Sequence, residues 1–86
     1  MIEISFPESV SSGKQINIAA NNLHEILKEM QEQYPDIFYL IATYKGNNFK
    51  VKPFVTLFIN NVMSVESNPV LKDGDRLSFD IAISGG

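Results

Sequence analysis

The residues with the clearest chemical potential are the last three, Ser84, Gly85 and Gly86, which follow an alternating apolar stretch. Glycine lacks a Cβ and reaches backbone angles closed to other residues, so a Gly-Gly end is thin and flexible. Such an end can thread a narrow tunnel and present its terminal carboxylate to a second enzyme. The competing interpretation is a frayed or truncated terminus, because chain ends are commonly disordered and tolerant of change.

The other candidate groups have ordinary structural interpretations. Cysteine is absent, which excludes a disulfide framework, a thiol nucleophile and a thiolate metal site. The single histidine, His24, lies among polar helix positions and is predicted to be exposed. Asp73 and Asp75 resemble a fragment of a calcium loop without its remaining ligands, so a turn is predicted there. No nucleophile with a neighbouring general base and no set of metal ligands is visible. The chain is therefore not expected to be an enzyme or to hold a metal or cofactor.

Composition limits the class of protein. The chain has 86 residues, of which 44% are hydrophobic and 20% charged, which predicts a single small globular domain over residues 1–86. A net charge of −3 argues against a nucleic-acid partner and favours a basic patch on a protein partner. No signal peptide is visible, and no apolar run approaches the roughly 20 residues of a transmembrane helix, so a cytoplasmic location without a membrane partner is expected.

The first half of the sequence predicts a hairpin followed by a helix. Alternation at Ile2, Ile4 and Phe6 predicts a half-buried strand, a loop follows over Pro7 and Ser9 to Gly13, and Gln15 to Ala19 predicts a second strand. A helix is predicted from about Leu23 to Gln33, with Asn21 or Asn22 as its N-cap and Pro35 beyond its end. Its apolar face consists of Leu23, Ile26, Leu27, Met30 and Tyr34.

The second half predicts strands separated by turns. A short strand from Phe38 to Tyr44 is predicted to turn at residues 45–48 into Phe49 to Val51. Strands are also predicted from Phe54 to Ile59 and from Arg76 to Ile83. Asn60-Asn61, Asn68-Pro69 and residues 72–75 carry turn signals.

These elements predict an α+β fold. One helix cannot cover both faces of a sheet, so a mixed sheet curled around the helix is the expected packing. With the first and last strands parallel in its centre, this is the ubiquitin-like β-grasp. The last strand is then central, and the Gly-Gly tail at residues 84–86 projects from a firmly held base.

From Phe54 to Gly86 the sequence resembles the MoaD/ThiS family of sulfur-carrier proteins, which includes the molybdopterin synthase small subunit and the thiamine- and cysteine-pathway carriers. The matching pattern is an apolar strand ending in Asn60, the run Leu71-Lys72-Asp73-Gly74-Asp75, a second apolar strand, and the terminal Gly85-Gly86. The leucine-x-Asp-Gly-Asp turn, placed a strand's length before a terminal Gly-Gly, is the specific part of this pattern.

The resemblance implies a chemistry for the tail. A ubiquitin-activating-type enzyme uses ATP and Mg²⁺ to convert the Gly86 carboxylate into an acyl adenylate, and a persulfide sulfur then displaces AMP to leave a thiocarboxylate. Gly85 keeps the tail thin enough for a buried channel, while Ile83 and Ser84 set its exit direction. The ATP and metal sites belong to the partner enzyme. The thiocarboxylate then delivers sulfur inside a second, biosynthetic enzyme.

A surface for the activating enzyme is expected beside the base of the tail. Phe54, Phe58 and Asp80 share an outward phase there, together with Ala82. The two aromatic rings, Phe54 and Phe58, are either open to a partner or covered by the segment from Asp36 to Pro53. Relatives often have prolines at the positions of Ile81 and Ala82 and an apolar residue at that of Asp80. The length of the segment from Asp36 to Pro53 is closer to the branch that serves cysteine synthase-like enzymes.

Two rival functions remain open in the sequence. The chain could be a protein modifier joined to lysine through Gly86, since conjugation uses the same adenylate. It could also be a ubiquitin-like binding module in which the Gly-Gly end is incidental. The sequence does not choose among the molybdopterin, thiamine and cysteine-type pathways. A monomer alone and a hetero-complex at work are expected.

Overall fold

The computed structural model describes residues 1–6 and 15–81. The predicted loop over Pro7 and Ser9 to Gly13 lies outside these ranges. In chain order the elements are β1 (Ile2–Ser5), β2 (Gln15–Ile18), α1 (Leu23–Gln33), α2 (Pro35–Ile41), β3 (Ala42–Lys45), β4 (Asn48–Val51), β5 (Val55–Ile59), β6 (Val62–Ser64) and β7 (Arg76–Ile81). No helix within the described ranges is long and apolar enough to cross a bilayer.

The main sheet has five strands in the order β2-β1-β7-β5-β6, with a separate two-stranded sheet formed by β3 and β4. The first and last strands run parallel, and the other pairs are antiparallel. Strand β7 is therefore central. This is the topology of the predicted ubiquitin-like β-grasp, and it confirms that prediction.

The core lies between α1 and the sheet. Alternate residues of the strands and one face of α1 are buried, as the two periodicities require. The fully buried side chains of largest volume are Phe38, Ile2, Ile4, Leu23, Ile26, Leu27, Met30, Ile41 and Leu77. The predicted helical face is thus confirmed at Leu23, Ile26, Leu27 and Met30, while Tyr34 follows the last residue of the helix and is half-buried.

Helix α1 begins where its sequence predicts. Asn22 is the N-cap, and its side-chain oxygen accepts a hydrogen bond from the N–H of Glu25 at 2.9 Å. The Glu25 carboxylate in turn accepts from the N–H of Asn21, just before the N-cap, at 2.8 Å, so each of the two side chains satisfies one backbone donor at the start of the helix.

The structure corrects the prediction for residues 38–44. They were expected to form a strand, but helix α2 runs to Ile41 and β3 begins only at Ala42. Phe38 and Ile41 are three residues apart and therefore lie on the same face of the helix. Both side chains are fully buried, so this face packs against the core. Pro35 stands at the start of α2, where its fixed φ and missing N–H are tolerated. The fold therefore has a second helix instead of one alone.

Two tight turns close the hairpins. Gly46 and Asn47 have φ of 59° and 64°, and Asn60 and Asn61 have φ of 51° and 68°. Positive φ at both central residues is the type I′ geometry that two-residue hairpins prefer. Both turns agree with the sequence, but β6, which pairs with β5 after the second turn, is only three residues long and was not predicted.

Candidate functional site

The candidate site surrounds the end of β7 at Ile81, the last residue of the described ranges. Leu77 and Phe79 anchor this strand in the core, with exposed fractions of 0% and 2%. Strand β1 pairs only with residues 76–78, whereas β5 pairs with β7 as far as Ile81, which lies opposite Val55. Among the described residues, β5 is therefore the strand that pairs with β7 beyond Ser78.

The predicted tail residues Ala82, Ile83, Ser84, Gly85 and Gly86 lie outside the described ranges. The structure therefore places the base on which the predicted chemistry would depend, and the roles assigned to these five residues stay predictions.

The predicted partner residues lie near this base. Asp80 pairs with Thr56 across the two strands, and Phe58 pairs with Ser78, so both side chains are on the face away from the core. Phe54 directly precedes β5 and is 47% exposed. Asp80 is also exposed, while Phe58 is half-buried. Of the two aromatic rings, Phe54 is the one that is largely open to solvent.

The sequence interpretation missed Met63, which enlarges this surface. Met63 lies opposite Phe58 in the pairing of β6 with β5 and is 59% exposed. A signal for it was present, because a two-residue turn at Asn60 and Asn61 fixes the register of the hairpin and places position 63 opposite position 58. Phe54, Phe58, Met63 and Asp80 together are called the tail-base surface below.

A lysine supports the exposed aromatic ring of this surface. The Nζ of Lys52 donates a hydrogen bond to the carbonyl of Tyr39 at 2.6 Å, in the last turn of α2. That turn has no basic residue of its own, so the lysine complements the negative end of the helix. The same Nζ lies 5.9 Å from the centre of the Phe54 ring, within cation–π range.

The Asp-Gly-Asp motif lies at the opposite end of β7 and has a structural role. The Asp75 carboxylate accepts from the N–H of Lys72 at 2.8 Å and from the Asn60 side chain at 3.0 Å. The Asn60 side-chain oxygen accepts in turn from the N–H of Arg76 at 3.0 Å. Gly74, with φ of 91°, makes the turn possible. The motif thus joins two turns and fixes the start of the strand that carries the tail.

These contacts give Asp75 a role in acid stability. The backbone N–H of Lys72 and then the Asn60 side chain lower the pKa of Asp75, partly opposed by desolvation and aided by the charge of Lys72. A carboxyl with a lowered folded-state pKa stabilises the fold above its unfolded pKa, and this contribution is lost as the pH falls through the folded pKa. We expect Asp75→Asn to be less sensitive to acid than the parent chain.

Urea unfolding between about pH 6 and about pH 2 measures this effect. The free energy of unfolding should fall less steeply for Asp75→Asn in the acid part of this range. Asp80→Asn, which removes an exposed carboxyl from the same strand, should follow the parent chain. Parallel curves for the parent and Asp75→Asn would contradict the assigned role.

The structure also corrects the prediction that His24 is exposed. The residue is half-buried, and its Nε2 is buried without a hydrogen-bond partner among the described residues. Its ring lies 6.3 Å from that of Phe49. The β3–β4 hairpin therefore covers His24, although its neighbours in the sequence are polar. No three His, Asp or Glu side chains gather into a metal-binding group in the part of the chain that the structure describes.

Comparisons with known proteins support the fold. No protein-family model matches the sequence, and no curated protein matches it. A chain of the BexX/CysO complex of Amycolatopsis orientalis has a TM-score of 0.78 at 19% identity, with all of both chains covered. Small archaeal modifier protein 1 from Methanosarcina acetivorans has a TM-score of 0.78 at 17% identity, covering 99% of this chain and 95% of that one.

A third similar structure comes from Helicobacter pylori. A chain of the complex between subunits 1 and 2 of its molybdopterin-converting factor has a TM-score of 0.66 at 23% identity, covering 99% of this chain and 97% of that one. All three matches span nearly the whole of both chains. The chain therefore has the ubiquitin-like β-grasp fold found in the CysO, archaeal modifier and molybdopterin-converting factor structures.

Proposed function

We propose that the chain is a sulfur carrier whose Gly86 carboxylate is adenylated by a partner enzyme and then converted into a thiocarboxylate. The thiocarboxylate donates its sulfur to a biosynthetic enzyme. The observation that carries this proposal is the position of β7. It is the central strand of the sheet, parallel to β1, and its last described residue, Ile81, lies four residues before Gly85 in the sequence.

The chemistry explains why partner enzymes are needed. A free carboxylate is a poor acyl donor because its leaving group would be oxide, whereas AMP is a good leaving group. A persulfide sulfur can then attack the activated carbonyl carbon and displace AMP, and a thiol reduces the resulting acyl disulfide to the thiocarboxylate, forming a disulfide of its own. The chain supplies the acyl group and the geometry that delivers it, and the partner supplies ATP, Mg²⁺ and the sulfur source.

A second candidate is a protein modifier that is joined to lysine through Gly86. The similarity to small archaeal modifier protein 1 favours this candidate, because that structure is of a modifier with the same fold. Both candidates share the adenylate and differ in the nucleophile that displaces AMP.

Intact mass spectrometry separates the two candidates. The chain is incubated with a cognate activating enzyme, ATP, a persulfide donor and an excess of a thiol that reduces the acyl disulfide, and its mass is measured. A carrier gains the difference between one sulfur and one oxygen atom, whereas a modifier appears in larger conjugates. An unchanged mass, with no conjugates and no pyrophosphate exchange, would contradict both and favour a plain binding module.

The tail-base surface is proposed to contact the activating enzyme. The hetero-complexes of the A. orientalis and H. pylori structures support a partner for this fold. We expect Phe54→Ala to weaken that complex roughly tenfold, because exposed aromatic anchors contribute strongly to interfaces. The free energy of unfolding should change by less than about 1 kcal/mol, since about half of the ring is already in solvent.

Calorimetric titration with the activating enzyme measures this affinity. Val70→Ala is the control, because it truncates another exposed apolar side chain, 78% accessible, beside the N-terminus of α1 and outside the tail-base surface. Phe58→Ala is a less clean test, since its half-buried ring also contributes to stability. Equal affinities for the parent and Phe54→Ala would place the partner elsewhere.

A further inference from the structure

A groove of about 400 Å³ lies along β4 and the beginning of β5. Its lining comes from Leu23 at the start of α1 and from residues 49–53, 55–57 and 63–67. Runs of consecutive residues line it, so it follows the edges of strands, since a strand face would contribute only alternate residues. No residue of β3 lines it, so it lies on the side of β4 that β3 leaves unpaired.

No strand of the described part of the chain pairs with the outer edge of β4, which leaves backbone groups there available for pairing. This outer edge is called the free edge below. In the two-residue hairpin, the flanking residues Lys45 and Asn48 form a hydrogen-bonded pair. The N–H of Lys52 also donates across the ladder to the end of α2 at 2.9 Å. Because bonded and non-bonded pairs alternate, the N–H and C=O groups of Phe49 and Val51 point away from β3, toward the groove.

Strand β5, on the other side of the groove, is also paired along only part of its edge. Strand β6 pairs only with residues 57–59 of β5, so within residues 1–6 and 15–81 no strand pairs with Val55 and Thr56 on that side. The floor between the two edges is apolar, with Leu57 and Leu23 buried beneath it. This geometry leaves room for one extended segment beside β4.

The charge of this region is opposite to that of the whole chain. Residues 37–65 contain three lysines and no aspartate or glutamate, which gives them a net charge of +3 in a chain of net charge −3. Lys50 and Lys52 line the groove, and Glu66 is its single acidic lining residue. The groove therefore favours a negatively charged occupant.

We propose that this groove binds an extended acidic peptide segment of a partner protein, which adds as a strand along the free edge of β4. Main-chain hydrogen bonds to Phe49 and Val51 would supply affinity, as in other strand-addition complexes. Alternate side chains of the peptide would face the apolar floor, and the others would place carboxylates beside Lys50. The proposal does not depend on the proposed sulfur chemistry.

A nuclear magnetic resonance titration of the full chain tests the proposal. The probe is a blocked heptapeptide of alternating valine and glutamate, and the control has lysine in place of glutamate. The acidic peptide should shift the amides of residues 49–53, 55–57 and 63–67, and its affinity should fall as salt screens the charges. Shifts outside these ranges, or equal binding of the lysine peptide, would overturn the proposal.

Variants of the groove test the charge argument. Lys50→Glu should weaken binding by roughly fivefold or more, and Glu66→Lys should strengthen it. Lys28→Glu makes the same charge change at an exposed position of α1 and should have no effect. A loss of affinity common to Lys50→Glu and Lys28→Glu would indicate an effect of net charge alone and overturn the site.

Two further measurements test the mode of binding. Methylation of alternate peptide nitrogens removes donors without changing the charge, and it should abolish binding if the peptide adds as a strand. Retained affinity would overturn strand addition. Amide shifts in the same residues on concentrating the chain without peptide would place a second copy in the groove and contradict an acidic partner.

Discussion

Adding one alanine after Gly86 is expected to abolish adenylation of the chain by its activating enzyme. The proposed reaction needs a carboxylate at a fixed distance beyond the end of β7, because that strand is anchored in the sheet as far as Ile81. An extra residue moves the carboxylate past the reacting position. ATP–pyrophosphate exchange measures the loss, and removal of the extra residue should restore activity. Exchange at the parent rate would show that the terminal carboxylate is not the working group.

Replacing Gly85 with valine should block the same reaction. A β-branched side chain thickens the tail and excludes positive φ. Gly85→Ala is the graded control, since its single methyl group should reduce adenylation less than the valine does. The urea midpoint should remain close to that of the parent in both variants, which separates a defect in access from a defect in folding. Normal exchange by Gly85→Val would favour the binding-module function.

Leu27→Ala is expected to lower the free energy of unfolding by about 2–5 kcal/mol. Leu27 is 0% exposed and belongs to the core cluster that also contains Ile4, Leu57 and Phe79. Truncation removes buried methyl groups and leaves a cavity that a packed interior fills only partly. For a domain of this size, such a loss is a large fraction of the total stability.

Urea unfolding compares this variant with Lys28→Ala. Lys28 is the next residue and is exposed, so its truncation should change stability by less than about 0.5 kcal/mol. The comparison also controls for helix propensity, since both substitutions introduce alanine into the same helix. A loss below about 0.5 kcal/mol for Leu27→Ala would show that the buried face of α1 is wrongly assigned.

The local chemistry of the sequence determined most of the elements. Asn22 and Pro35 limit α1 because one can cap a helix and the other cannot continue it. The positive φ tolerated by asparagine and glycine predicted both hairpin turns. Alternation of apolar residues predicted β1 and the buried face of β7. Together with the amphipathic pattern of α1, these two strands were enough to suggest the β-grasp.

Tertiary packing decided the segment from Pro35 to Val51. A short apolar run such as Phe38 to Ile41 fits a buried strand and a buried helical turn equally well. The helix occurs because Phe38 and Ile41 can then share one face against the core. Packing of the β3–β4 hairpin against α1 also explains His24, whose polar neighbours in sequence gave no sign that Phe49 lies beside its ring.

The sequence alone identified the Gly-Gly end and the Asp-Gly-Asp turn as a related pattern, because both depend on backbone angles that few residues adopt. Only the tertiary structure showed how this turn fixes the start of β7, through the hydrogen bonds of Asp75 with Lys72 and Asn60. Met63 joins its surface through the local β5–β6 hairpin, whose register the turn at Asn60 and Asn61 sets. The groove beside β4 brings Leu23 together with residues 49–67, and alternation within one strand does not encode that juxtaposition.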